Sequence, residues 1–163
     1  MTVNDRVSSD HQLARLLQIG VVLEEVVEVR AARHYDTLSP EERDEGIEEL
    51  LEEAREESAE HRDRLETLID ELDARSVPLE EIETLVEGHY AQTGPEDFDG
   101  VLYDQLHSEE TAYKFYDDLI EAIEASDADL AVDREELLAT LEEIREEEAE
   151  GVEEVTKVME ARE

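Results

Sequence analysis

Residues 47–68 read IEELLEEAREESAEHRDRLETL, and the spacing within them decides the fold. Ile47, Leu51, Ala54, Ser58, His61, Leu65 and Leu68 recur every three or four positions, and Leu72 continues the line. That period places them on one face of a helix, the face that turns into a core. Only Ser58 and His61, at its middle, break its apolar character. Three other lines share the period. One runs Leu17, Val21, Glu24, Glu28, Ala31, Tyr35, Leu38; the next Leu102, Leu106, Glu109, Ala112, Tyr116, Leu119, Ile123; the last Leu137, Leu141, Ile144, Glu148, Gly151, Val155, Val158. An ionised carboxylate on such a face is costly unless it is paired or holds a cation. Each line carries a metal-binding group near its middle, which is the pattern of a metal site inside a four-helix bundle.

Working outward, the helix ends follow from their caps. Ser9 with Gln12 resembles a capping box and starts helix 1, expected over about 10–37. Between Gly20 and Val29 that helix is apolar on nearly every face, so it is central or meets another subunit. Ser39-Pro40-Glu41-Glu42 combines a serine cap, a proline at the first position and a glutamate three residues on. Helix 2 is expected from there to about 75, antiparallel to helix 1 because the connection is short. Pro78 and Gly94-Pro95 punctuate the next stretch, with a short helical pattern of Leu79, Ile82, Leu85 and Val86 between them. Residues 76–99 therefore read as a crossover to the other end of the bundle. Helix 3 is expected over 100–126. Asp133 with Glu136 caps helix 4, expected over 134–161. The fold expected is all-α, one domain over 1–163: a four-helix bundle of two helical hairpins joined by a long crossover.

Composition narrows the chemistry. With no cysteine, thiol catalysis, disulfides, thiolate zinc sites and iron–sulfur clusters are excluded. Six glycines and three prolines leave no glycine-rich phosphate loop, and no Ser/His/Asp arrangement stands out. Net charge is −37, from 51 acidic against 14 basic residues, of which only Lys114 and Lys157 are lysines. Nucleic acid and anionic membranes are poor partners for that surface. No stretch approaches a membrane span, and no basic leader precedes an apolar run, so the expected location is the cytoplasm. Regular apolar spacing argues against a disordered acidic chain. The better expectation is a halophilic protein, whose carboxylates stay hydrated while salt screens their repulsion. Such a fold weakens as salt is withdrawn.

The chain also repeats itself. Glu28-x-x-Ala31-x-x-x-Tyr35-Asp36-x-Leu38 matches Glu109-x-x-Ala112-x-x-x-Tyr116-Asp117-x-Leu119, and Arg55-Glu-Glu-Ser58-Ala-Glu-His61 matches Arg145-Glu-Glu-Glu148-Ala-Glu-Gly151. The second hairpin thus resembles the first, as if one hairpin had been duplicated.

These two hairpins resemble the ferritin-like carboxylate superfamily, within it the rubrerythrin branch, which carries E-x-x-A-x-x-x-Y on helices 1 and 3 and E-x-x-H on helices 2 and 4. The resemblance spans nearly all of the four helices and none of the crossover. It implies a metal site of iron or manganese that reacts with peroxide or oxygen, as a peroxidase or ferroxidase, or that handles iron. Residue by residue, it implies Glu28 and Glu109 as terminal carboxylates, His61 as the imidazole of the first E-x-x-H, and Glu148 as the bridging carboxylate of the second. The chain departs from the pattern at Ser58, where a glutamate is expected, and at Gly151, where a histidine is. Four of six ligands remain, so one ion or an asymmetric pair is expected, with Glu24 and Glu57 the nearest acids to complete it. Tyr35 and Tyr116 are core residues that at best hydrogen-bond to ligands. His11, His34, His89 and His107 fall off the core lines and are expected at the surface, and Tyr113 and Phe115 in packing. A homodimer through helix 1 and a separate electron donor complete the expectation. The competing one is a metal-free bundle serving as a structural or interaction module.

Overall fold

A computed structural model describes residues 7–41, 45–72 and 98–161. Its four helices are α1 (Asp10–Thr37), α2 (Glu45–Asp70), α3 (Phe98–Glu124) and α4 (Arg134–Glu160), and the described residues include no strand. The protein is an all-α four-helix bundle. The helices start where their side chains can satisfy the free amides of the first turn. Ser9 Oγ accepts from the Gln12 amide at 3.2 Å, and Asp133 accepts from the amides of Glu135 and Glu136. Gln12 closes its box one residue early, its Oε1 accepting from the Ser8 amide at 2.6 Å.

Pro40 and Glu41 form a turn, residues 42–44 lie outside the described ones, and α2 is helical from Glu45. It stops at Asp70, short of the expected 75. There Glu71 and Leu72 bond to carbonyls three residues back, tightening the last turn. The expected crossover, its short helical pattern and His89 lie outside the described residues.

α1 packs most closely on α2, and α3 on α4, so the two hairpins of the sequence are the two hairpins of the fold. Contacts between helices show the directions. Gly20 stands against Leu65 and Glu24 against His61, while Gly151 stands against Glu109 and Arg145 meets Asp117, so each hairpin is antiparallel. Between hairpins, Arg30 holds Asp104 in a two-pronged pair and Tyr116 reaches Glu24, making α1 and α3 antiparallel as well. α2 and α3 therefore run the same way, a direction that needs a long connection between them. Val7 donates to the Ala122 carbonyl of α3 and accepts from the hydroxyl of Ser126, just past the end of that helix.

Nearly every apolar residue of the four lines is buried. They form two separate clusters. The larger gathers Leu13, Leu17, Leu65, Leu68, Leu119, Ile123, Leu137 and Ile144 around Tyr116. The smaller gathers Ala31, Ile47, Leu51, Leu102 and Val155. Ile19, Val22, Val26 and Val29 of α1 are partly buried against the larger cluster. Between the two clusters lies a polar layer: Glu24, Ser58, His61, Gln105, Glu109 and Glu148, all buried.

Candidate metal centre

Helical spacing brings one group from each helix to this layer. Glu24 comes from α1, His61 from α2, Glu109 from α3 and Glu148 from α4, each on the line of its apolar neighbours. Two sets of donors result. Donor atoms of Glu24, His61 and Glu148 all lie within 4.8 Å of one another, as do those of Glu57, Glu109 and Glu148. Glu148 belongs to both. Nitrogen with two carboxylates, or three carboxylates, is a donor set for iron(II), manganese(II) or zinc, and a cysteine-free cluster gives no preference for softer ions.

His61 is fully buried and held on both edges. Its Nδ1 lies 3.1 Å from Glu148 and 3.3 Å from Glu24, and its Nε2 lies 2.7 Å from Glu147. Burial alone lowers an imidazole's pKa. Here the hydrogen bond and charge of Glu24, then Glu147 and Glu57, outweigh it and raise His61 to about 9. Glu57 moves to about 8, raised by burial against the opposing pull of His61, with Glu109 and Glu147 adding repulsion. Glu148 goes far higher, through burial first and then the charge of Glu24 and its hydrogen bond to Glu109. Glu109 is raised by burial too, while accepting from Glu148 eases it. Without a cation, therefore, Glu148 keeps a proton and His61 carries a positive charge. Protons fill the place a cation would take.

Three neighbours fix the acids. The Tyr116 hydroxyl donates to Glu24 Oε1 at 2.6 Å, and the Gln105 amide donates to Glu109 Oε1 at 3.1 Å. Glu24 Oε2 is buried with no hydrogen-bond partner among the described residues. Gly151 explains how Glu109 fits: a Cβ added there would stand 2.6 Å from Glu109 Oε2. The missing side chain is the space the Glu109 carboxylate occupies.

Of the four residues singled out from the sequence, His61, Glu109 and Glu148 come together. Glu28 does not join them. Its carboxylate sits 2.6 Å from Arg62 Nη1, which also binds Glu25, and Glu24 one turn earlier faces the centre instead. Glu24 was legible as a member of the same helical line. Glu147 and Gln105 were not: neither stands on a core line, and only the packed helices reveal what they touch. His11 and His107 are exposed as expected, but His34 is buried at 2% exposure. Its Nε2 lies 2.8 Å from Asp104, a contact that draws it inward, and burial notwithstanding His34 and Arg30 pull the Asp104 pKa well down. Tyr113, expected in packing, is 39% exposed; Phe115 packs edge-on against Tyr116. No described helix is long and apolar enough to cross a membrane.

Set beside protein-family models, curated proteins and solved structures, the chain matches none of them.

Proposed function

We propose that this chain is a ferritin-like metalloprotein of the rubrerythrin kind, holding iron or manganese between its helices and acting in peroxide or oxygen detoxification or in iron handling. One observation carries the reading: buried carboxylates and an imidazole from four helices form two donor sets that share Glu148, with a free carboxylate oxygen of Glu24 among them. An acidic layer inside an apolar core is costly for folding and is explained by a cation that uses it.

A bound ion would supply a Lewis acid and, for iron or manganese, a one-electron couple. The residues would do the rest. Glu24, His61 and Glu148 would hold one ion, and Glu57 and Glu109 with Glu148 a second, giving an asymmetric pair. Glu147, on Nε2, favours the tautomer whose Nδ1 lone pair points into the layer. Tyr116 and Gln105 hold the orientation of Glu24 and Glu109. Glu148 would release its proton on binding. With no cysteine in the chain, electrons would come from a separate donor.

Elemental analysis tests this on chain produced with iron and manganese supplied and purified in high salt without chelator. One or two transition ions per chain are expected, and none in His61→Ala. Metal content near zero after reconstitution would overturn the reading in favour of the metal-free interaction module. That alternative has its own support in the hydrogen bonds by which the cluster satisfies most of itself. Light scattering on the same sample would report the homodimer.

A further inference from the structure

The cluster reaches solvent on one side. The side chains of Glu24, His61 and Glu148 are 1%, 1% and 4% exposed, while those of Glu57 and Glu147 are 35% and 33% exposed. Both half-exposed acids stand at the seam of α2 and α4. Each of the other seams is bridged by an arginine near this level: Arg62 between α1 and α2, Arg30 between α1 and α3, and Arg145 between α3 and α4. A fixed cation there repels an incoming one. Arg64 also crosses the α2–α4 seam, one turn beyond His61, where it bonds Glu147 at 3.3 Å and lies 3.7 Å from Glu143.

From His61 in the opposite direction the seam stays acidic. Glu57 lies one turn before His61, and Glu53 one turn before Glu57, on the same face of α2. On α4, Glu147, Gly151 and Glu154 form the matching row. Glu53 and Glu154 are both exposed and close enough to feel each other: after desolvation and Glu49, the charge of Glu154 helps raise the Glu53 carboxyl. Among the described residues neither is ion-paired. Gly151, between the two acids of its row, sets no side chain between this lip and the Glu109 carboxylate.

We propose that the α2–α4 seam, on the side of His61 away from Arg64, is the route by which divalent cations reach the buried donors, with Glu53 and Glu154 drawing them to its mouth and Glu57 passing them inward. This rests on the metal-binding reading above. The inner end of the route carries its own sign of a ligand, the unpartnered Oε2 of Glu24. Carboxylates at the mouth of a low-dielectric cleft raise the local cation concentration and so the rate of association.

Stopped-flow uptake of cobalt(II), followed by its visible absorption, tests the route across a range of salt in which circular dichroism stays constant. Glu53→Gln with Glu154→Gln is expected to slow uptake by about three- to tenfold, the gap narrowing as salt rises. Cobalt bound at saturation stays as in wild type, since neither residue is a donor. The comparison is Glu121→Gln with Glu124→Gln, which removes the same charge from the exposed end of α3. If both pairs slow uptake equally, net charge alone is responsible and the route is wrong. The same holds if neither pair changes the rate. A wild-type chain that takes up no cobalt(II) overturns the metal site itself, and the route with it.

Discussion

Tyr116 and Gly151 shape the polar layer from opposite sides, one by adding an atom and the other by withholding one. Tyr116→Phe removes the short hydroxyl bond to Glu24 Oε1 and leaves that buried oxygen only the longer contact to His61 Nδ1 among the described residues. An unmet buried polar group costs about 1–3 kcal/mol, so urea denaturation of the chelated variant should show a loss in that range. Gly151→Ala sets two effects against each other. Alanine inside a helix gains about 1 kcal/mol over glycine, while crowding the buried Glu109 carboxylate costs about 1–3 kcal/mol. The net on stability should be a loss of at most about 2 kcal/mol, and metal affinity, read by calorimetric titration, should fall because Glu109 must swing away. Unchanged affinity would remove Glu109 from the donor set. The same crowding explains why a histidine at this position, as the resemblance to rubrerythrins would have it, does not fit beside Glu109 as it now stands.

At the scale of the helix, the caps and the spacing were open to reading. Asp133→Ala should cost about 1 kcal/mol, measured by thermal melting, because the amides of Glu135 and Glu136 lose their acceptor. Four helices, their order and nearly all their buried faces follow from the three-and-four spacing, since burial and periodicity are one fact seen twice. What was not legible is how one helix is rotated about its own axis. On α1 the line offers Glu24 and Glu28, a turn apart. The repeat points to Glu28, but Arg62 on α2 takes Glu28 and leaves Glu24 for the centre. Nothing in α1 alone could reveal Arg62. His34 misled for the same reason, drawn inward by Asp104 on a helix far away in sequence. α2 ended early through backbone bonds that no side chain announces.

Across the whole molecule, the protons of the polar layer stand where a cation would sit on the proposed reading. Folding raises His61 to about 9 and Glu57 to about 8, both above their ordinary values. The folded chain thus binds more protons than the unfolded one between about pH 4.5 and 9, and stability falls as pH rises through that window. His61 contributes most below its unfolded value near 6.5 and nothing above 9; Glu57 becomes a penalty once ionised. A chelated sample should lose melting temperature steadily from pH 5 to 9 in high salt, whereas manganese should flatten that slope by replacing the protons. A melting temperature that rises over this range would contradict the arrangement of charges around His61. The polar layer has a mechanical consequence too. It separates the two apolar clusters, so each half of the bundle coheres on its own while their junction depends on what occupies the layer. The ion would then act as a rivet: with it in place the two ends melt as one body, and without it the smaller end is free to loosen first.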